Sequence, residues 1–241
     1  MTTTHFRTNV SLSLIAAAAS LLLASAAMAA TPAAAPKETA QQQAEREAHA
    51  KEVATAKPVA VTIEYGKKDA PVLIEEFASL SCSHCAEFAK NIQPELKKRY
   101  LDTGKARLVT HSYIRNEPDL RGSMLLHCLT SNEERQQFVK VLLEMQEQWA
   151  YSENVKDALG DIAKVGGVSP DTYQSCVSDT KLETGLLKDL QVTSETRNIE
   201  GTPSFFINGE KLVGGFDIVT LGKAIDAAKP LPAAAKIPAA K

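Results

Sequence analysis

The feature that most constrains this chain is a pair of cysteines, three positions apart, where a strand passes into a helix. Residues Val72 to Ala78 are predicted to form a buried strand, and apolar residues recur at every fourth position from Phe88 to Tyr100. Cys82 and Cys85 lie between them, in the order Cys-Ser-His-Cys. Unpaired N–H groups and the dipole at a helix N-terminus favour negative charge. Cys82 is therefore placed where a thiolate is stabilised, as dithiol–disulfide exchange requires.

The first 29 residues have the pattern of a secretory signal peptide. His5 and Arg7 precede an apolar run from Val10 to Ala27, and small residues occupy positions 27 and 29, which a signal peptidase reads. The alternative is a transmembrane anchor, but the strongly apolar core is shorter than the ~20 residues that a span needs. We therefore expect export of the mature protein to an oxidising compartment, where disulfides persist.

Composition argues against several classes of partner. The formal net charge of −2 gives no reason to expect nucleic acid or an anionic membrane as a partner. The four cysteines are too few for a disulfide-stapled miniprotein, but their even number in an exported chain suggests that they pair. We predict no metal and no cofactor, because the sequence lacks a second ligand pair at zinc-site spacing and has no Walker loop. The weak candidate metal ligands are Cys82, His84, Cys85, His111, His127 and Cys128.

The hydrophobic pattern changes along the mature chain from strand-like to helical and back. Strands are predicted near residues 58–65, 72–78 and 106–114, helices throughout 118–199, and a hairpin at Asn208-Gly209 before a closing helix. The predicted order is βαβ and then ββα in one mixed α/β sheet, interrupted by an α-helical insertion. The predicted segments are a signal peptide (1–29), a flexible or partly helical leader (30–57), the sheet domain (58–116 and 199–229), the helical insertion (117–198) and a disordered tail (230–241).

This order, with C-x-x-C opening the first helix, resembles thioredoxin, and the helical block narrows the resemblance to the DsbA-like thiol–disulfide oxidoreductases of the bacterial periplasm. The resemblance covers roughly Val59 to Ala228. It rests on the strand before Cys82, on the run from Gly201 to Ile207 that contains Thr202-Pro203, and on the hairpin that leads into Val213-Gly214-Gly215. It implies a thioredoxin fold with an α-helical insertion domain.

The resemblance also implies roles for the residues of the motif. Cys82 is expected to be the nucleophile, and Cys85, one turn inside the helix, the resolving thiol. A protonated His84 would lower the pKa of the Cys82 thiol, and the alternative is an exposed, solvated imidazole. The family usually has Pro-His between its cysteines, so Ser83 is a departure that leaves the redox potential open.

Two further positions come from the same resemblance. Pro203 is expected to form a cis peptide bond facing the disulfide, although X-Pro bonds are mostly trans. Thr202 replaces the valine common in the oxidase branch and is more typical of isomerase-like and reductase-like members. Glu76 is expected to be buried near Cys85 and to move its proton. The alternative is that Glu75 faces inward instead, because side chains alternate along a strand.

The other two cysteines, Cys128 and Cys176, both lie among apolar residues at helical spacing in the insertion. In an oxidising compartment we expect them to form a structural disulfide, as some DsbA-like proteins have in this domain. The alternative is a pair of buried free thiols.

The most favoured function is a monomeric periplasmic oxidoreductase of a Gram-negative bacterium that donates the Cys82–Cys85 disulfide. The implied partners are unfolded exported proteins with free thiols and a membrane quinone-linked DsbB-like protein that reoxidises the enzyme. One alternative is a disulfide isomerase or reductase that forms an oligomer through the leader. Another is a binding protein on a thioredoxin scaffold with an inert disulfide.

Overall fold

The computed structural model describes residues 39–232. The predicted signal peptide, the start of the leader and most of the predicted tail, residues 233–241, lie outside the described residues. The remaining part of the leader contains helix α1, Ala40–Thr55, which buries none of its residues.

A five-stranded mixed sheet forms the centre of the fold, with the order β1-β3-β2-β4-β5. β2 and β3 are parallel, and the other neighbouring strands are antiparallel. β2 is therefore flanked on both sides, which agrees with its continuous burial. The strands are β1 (Thr62–Gly66), β2 (Val72–Ala78), β3 (Ala106–Ser112), β4 (Ser204–Ile207) and β5 (Glu210–Lys211).

Helices cover both faces of this sheet. The helix that follows β2 begins as α2 (Ser83–Glu87), passes through a π-helical turn (Phe88–Ile92), α3 (Gln93–Leu96) and a second π-helical turn (Lys97–Leu101). The six insertion helices lie between β3 and β4, and α10 follows β5. They are α4 (Glu117–Cys128), α5 (Asn132–Glu144), α6 (Gln146–Trp149), α7 (Val155–Val165), α8 (Pro170–Val177), α9 (Thr180–Arg197) and α10 (Ile218–Ala227). The predicted thioredoxin fold with a helical insertion is confirmed.

The helix that follows β2 is irregular near Pro94 for a local reason. Pro94 lies in the first turn of α3, where its missing N–H costs no helical hydrogen bond, and the π-helical turn ends just before α3. Beyond this break, Leu96 and Tyr100 still pack against the sheet with Phe88. The fourfold apolar spacing thus identified the buried face, although the helix is not regular.

The first strand begins later than its alternating pattern predicts. Residues 58–61 precede β1, and the Val59 N–H donates to the carbonyl of Gly185 in α9 at 2.9 Å. A side chain at Gly185 would bring its Cβ to 2.6 Å from Val59 Cγ2, so glycine permits this approach. The apolar residue Val59 therefore packs on the insertion and is not part of the sheet.

The predicted hairpin turn has the expected conformation, and the caps of two helices follow similar local rules. Asn208 and Gly209 both have positive φ, at 51° and 87°, as a tight two-residue hairpin between β4 and β5 requires. Asp217 caps α10 and accepts hydrogen bonds from the N–H groups of Val219 and Thr220. Ser169 caps α8, whose first turn contains proline.

A disulfide joins Cys128, the last residue of α4, to Cys176 in α8, across 48 positions of the chain. Around it, Leu125 and Val177 belong to the apolar core of the insertion. The cross-link therefore ties the first helix of the insertion to its fifth.

Replacing both residues of this cross-link, Cys128→Ala with Cys176→Ala, is expected to lower the free energy of unfolding by ~2–4 kcal/mol, because the unfolded chain gains conformational freedom. Urea unfolding in oxidising buffer measures the change. Using a Cys82→Ala/Cys85→Ala background leaves this disulfide as the single reducible one. Adding a reductant to that background should reproduce the loss, and an unchanged unfolding midpoint would contradict the prediction.

Candidate active site

The two cysteines of the motif lie at the N-terminus of α2. Cys82 is the N-cap residue, with φ −87° and ψ 121°, and Cys85 is buried inside the first turn. Both are free thiols in this structure and both are largely buried, at 7% and 1% exposure. The extended backbone of an N-cap residue directs its side chain toward the free N–H groups of the helix. The backbone N–H groups of His84 and Cys85 accordingly help to lower the pKa of the Cys82 thiol, although neither forms a regular cap hydrogen bond to its sulfur.

These contacts lower the pKa of Cys82 to about 4. The largest cause is the hydrogen bond that the Cys85 thiol donates to the Cys82 sulfur, followed among the favourable contacts by the Thr202 side chain and the two backbone N–H groups. Burial opposes ionisation but is outweighed. At neutral pH Cys82 is therefore a thiolate, the reactive form of cysteine.

Cys85 behaves in the opposite way. Its pKa is raised well above the ordinary value, first because its thiol proton is held in the hydrogen bond to Cys82, then by burial and by the charge of Glu76. The pair thus consists of an ionised sulfur at the helix end and a protonated sulfur one turn inside. This arrangement separates a nucleophile from a resolving thiol.

Glu76 lies on β2, on the sheet face that the active-site helix covers. Its side chain accepts a hydrogen bond from Thr110 Oγ1 at 2.7 Å. Burial raises the pKa of Glu76 to about 7, and the Thr110 hydrogen bond only partly opposes this shift. A carboxyl group that titrates near neutral pH can both donate and accept a proton under working conditions.

The expectation that only one of Glu75 and Glu76 is buried is wrong. Glu75 is 1% exposed and Glu76 is 4% exposed. They point to opposite faces, but helices cover both faces of this sheet, so alternation does not separate a buried residue from an exposed one. Glu75 forms an ion pair with Arg197 of α9 at 2.7 Å, on the face away from the cysteines.

A cleft of about 940 Å³ lies between the sheet, the active-site helix and α5. Glu76 and Cys85 both line it, beside Ala89 of the helix and Val139 of α5. The buried carboxyl group and the resolving thiol therefore share a cavity that could hold water.

The Thr202-Pro203 peptide bond is cis and lies against the motif. As a thiol, Cys82 donates to the Thr202 carbonyl oxygen at 3.2 Å, whereas the Thr202 side chain donates to the thiolate. Arg115 donates to Thr202 Oγ1 at 3.4 Å. Thr202 can thus contact both protonation states of the sulfur.

A groove of about 520 Å³ runs beside the cis bond. His84, Thr202 and Pro203 line it, together with Val213, which is 89% exposed, and Phe216, whose ring meets the His84 ring edge-on. His84 is itself exposed, and the contact it makes with Cys82 is through its backbone N–H. A tuning role for its imidazole stays a prediction.

The structure therefore brings together Cys82, Cys85 and Thr202-Pro203, with His84 on the rim and Glu76 beneath, whereas Cys128 and Cys176 pair with each other in the insertion. Sequence reasoning missed the insertion residues Asp119, Gln146 and Tyr151, which bind the loop before Cys82. Their spacing carried no signal, because these contacts join residues 38 to 70 positions apart. Among the described residues, no group of acidic, histidine and cysteine side chains could hold a metal ion.

Comparisons with known proteins agree with this geometry. A family model described as thioredoxin matches residues 59–227. The chain is 35% identical over 179 residues to the Rickettsia felis protein named "Putative protein-disulfide oxidoreductase", covering 71% of this chain and 64% of that protein. It is 27% identical to disulfide bond formation protein D of Bacillus subtilis, over 63% of this chain and 69% of that protein. The chain spans about three fifths of the length of the curated Rickettsia relatives.

Solved structures of DsbA-like proteins are also similar to this chain. The crystal structure of alpha-DsbA1 from Wolbachia pipientis is similar with a TM-score of 0.63 and 28% identity, over 73% of this chain and 94% of that chain. Oxidised BdbD of Bacillus subtilis matches with a TM-score of 0.60 and 21% identity, over 71% and 95% of the two chains, which shows the shared fold alone. The chain therefore belongs to the thioredoxin family, in its DsbA-like branch.

Proposed function

We propose that this protein is a thiol–disulfide oxidoreductase that donates the Cys82–Cys85 disulfide to exported proteins with free thiols. The observation that carries the proposal is the opposite shift of the two thiol pKa values, with that of Cys82 lowered to about 4 and that of Cys85 raised. A thiolate that is stabilised at neutral pH favours the reduced protein over the disulfide, which carries no charge. The disulfide is consequently a strong oxidant.

The reaction proceeds in two exchange steps. A substrate thiolate attacks the Cys82 sulfur, the Cys82–Cys85 bond breaks, and Cys85 leaves as a thiolate that takes up a proton. A second substrate thiolate then attacks the substrate sulfur of this mixed disulfide, and Cys82 leaves as a thiolate. The substrate loses two electrons and gains a disulfide, and the protein is reduced to the dithiol. The low pKa of Cys82 makes it a good leaving group in the second step.

Glu76 is the proposed proton donor for Cys85 in the first step. It shares the cleft with Cys85 and has a pKa of about 7, so a substantial fraction is protonated at neutral pH. The leaving thiolate of Cys85 takes this proton, and in the reverse direction the Glu76 carboxylate removes it when the disulfide is restored.

The groove beside Pro203 is the proposed substrate site. The Thr202 carbonyl oxygen, just before Pro203, lies 3.2 Å from the Cys82 sulfur, and the exposed Val213 and the Phe216 ring provide apolar surface. An extended segment of an unfolded chain would bind there with its cysteine over Cys82.

The proposed location is the periplasm of a Gram-negative bacterium, and the proposed reoxidant is a membrane quinone-linked DsbB-like protein. The signal-peptide pattern at residues 1–29 and the Cys128–Cys176 disulfide support an oxidising compartment. Within residues 39–232, no helix is long and apolar enough to cross a membrane. We propose a monomer as the working form.

A second candidate is a disulfide isomerase or reductase. Thr202 favours it, since threonine before the cis proline is more typical of those branches. Helix α1, which buries no residue within the single chain, lies in the leader through which this candidate would associate. An isomerase needs paired active sites, so this candidate requires an oligomer.

Equilibrating the mature protein with glutathione buffers tests the direction of the reaction. We expect a reduction potential for the Cys82–Cys85 pair well above that of thioredoxin, about −270 mV, because the thiolate stabilises the reduced form. Mass shift after thiol alkylation gives the reduced fraction at each buffer ratio. A Cys128→Ala/Cys176→Ala variant should give the same potential, which assigns the transition to the motif.

A potential near that of thioredoxin would contradict the oxidase role. Light scattering then separates the remaining candidates. A stable oligomer that dissociates when residues 31–57 are deleted would support the isomerase, and a monomer would support a reductase.

Replacing Glu76 by Gln is expected to change the pH dependence of stability. The raised pKa of Glu76 means that the folded protein retains a proton that the unfolded chain releases. Its contribution to the free energy of unfolding therefore falls as pH rises from 4.5 to about 7. We expect Glu76→Gln to remove a loss of about 3 kcal/mol over this range. Urea unfolding at pH 4.5 and pH 8 measures it.

The same variant should slow reduction of the disulfide by a dithiol peptide at least ~10-fold, because Cys85 loses its proton donor. The matched control is Glu75→Gln, which changes an equally buried neighbour on the opposite face. The Glu75→Gln variant should show the same pH-dependent loss of stability as the unmodified protein and the same rate of disulfide reduction. Equal rates for Glu76→Gln and the parent would rule out the proton transfer.

A further inference from the structure

The loop that carries Cys82 is held by side chains of the helical insertion. Gln146 Nε2 donates to the carbonyl oxygens of Leu80 at 2.7 Å and of Cys82 at 3.0 Å. Asp119 Oδ1 accepts from the N–H of Ser81 at 2.8 Å. The Ser81 carbonyl accepts a hydrogen bond from the Tyr151 hydroxyl at 2.9 Å. Side chains of the insertion therefore bind four backbone groups on the three consecutive residues from Leu80 to Cys82.

Apolar packing supports the same loop. Leu80 is 4% exposed and belongs to the core of the insertion, together with the fully buried Trp149. Gly122 of α4 permits this contact, because a Cβ there would lie 2.7 Å from Leu80 Cδ1. Gln146 and Trp149 are the first and last residues of the short helix α6. Gln146 therefore lies on a helix that packs into the insertion core through Trp149, and its side-chain amide binds the loop.

The Cys82 carbonyl is where this clamp meets the reactive residue. As the first carbonyl of the helix, it already accepts hydrogen bonds from the N–H groups of Cys85 and Ala86, at 3.1 Å each. The Gln146 amide is a third donor to the same oxygen. Fixing this carbonyl fixes the N-cap backbone of Cys82. The backbone in turn determines where the sulfur lies relative to the N-terminus of α2 and to the Thr202 carbonyl oxygen, which is 3.2 Å away.

We propose that Gln146 is a positioning residue for Cys82, whose side-chain amide bridges the Leu80 and Cys82 carbonyls and holds the sulfur over the N-terminus of α2. Asp119 and Tyr151 complete the clamp on Ser81. The insertion thus has a part in the chemistry as well as covering the sheet. This inference rests on the proposed function of Cys82 as the nucleophile.

The clamp acts through geometry. Without Gln146 the buried Leu80 carbonyl loses its side-chain donor, whereas the Cys82 carbonyl keeps its two helical N–H donors. The tie between the two carbonyls is lost, and the loop moves to give Leu80 a new partner. The Cys82 sulfur then loses part of its contact with the backbone N–H groups, and the thiolate is less stabilised. A residue that merely joins the insertion to the sheet would affect stability and leave the thiolate unchanged.

Gln146→Met tests the proposal, because methionine keeps the length of the side chain and removes both donors. The pKa of Cys82 is measured from thiolate absorbance against pH on the reduced mature protein. The rate at which the oxidised protein oxidises a dithiol peptide is measured separately. We expect the apparent pKa of Cys82 to rise by about one unit, since a hydrogen bond to a charged group is worth about that much. The rate of peptide oxidation should fall about threefold, because thiol–disulfide exchange rates depend on the thiol pKa with a Brønsted coefficient of about 0.4–0.5.

The matched control is Asn132→Leu. Asn132 also bridges two backbone groups from the insertion, the N–H and carbonyl of Glu64 in β1, both at 2.8 Å. This variant should lose stability in urea unfolding while keeping the Cys82 pKa and the rate of the parent protein.

Tyr151→Phe keeps the test decisive if Gln146→Met fails to fold. It removes one hydroxyl from a ring that is 55% exposed, and it should raise the Cys82 pKa by a few tenths of a unit. A Cys82 pKa equal to that of the parent in every folded clamp variant, Gln146→Met or Tyr151→Phe, would overturn the inference. A parent protein without an acid-shifted thiolate would instead contradict the proposed function itself.

Discussion

The hydrogen bond from the Cys85 thiol to the Cys82 sulfur is the interaction on which the proposed chemistry depends. One proton is held between two sulfurs, and it belongs to Cys85 because the Thr202 side chain and the backbone N–H groups at the helix end further lower the pKa of Cys82. The same bond lowers the pKa of one thiol and raises that of the other. An equal pair of thiols would provide neither a ready leaving group nor a protected resolving thiol.

The layered fold supplies the surroundings that this bond needs. Because helices cover both faces of the sheet, β2 carries Glu76 into a buried position beneath Cys85, where desolvation brings its pKa to about 7. The cost of a second buried carboxylate, Glu75, is offset by the ion pair with Arg197, which lies over the rings of Phe77 and Phe206. The two neighbouring buried glutamates are thus accommodated differently, Glu75 by an ion pair and Glu76 by a hydrogen bond from Thr110.

Sequence reasoning predicted those parts of the fold that local patterns determine. Asn208-Gly209 predicted a hairpin, and the apolar run of β2 and its junction with the cysteines predicted a helix end at Cys82. It chose Glu76 over Glu75 from the family resemblance, but it wrongly expected the other glutamate to be exposed, because alternation does not predict exposure in a sheet buried on both faces. It also missed Gln146 and Asp119, since polar residues in an amphipathic block give no sign of the loop they will bind. The cis bond at Pro203 was expected from the family resemblance alone.

Thiolate absorbance measured against pH shows whether Cys82 is ionised at neutral pH while Cys85 is protonated. We expect one transition with a midpoint near pH 4 in the reduced protein, abolished by Cys82→Ala, and no ionisation of Cys85 where an ordinary cysteine titrates. Replacing Cys85 by alanine should raise the midpoint of Cys82, because the shared proton is gone. A single transition near the ordinary cysteine pKa of about 8.5, unchanged by Cys85→Ala, would contradict the account.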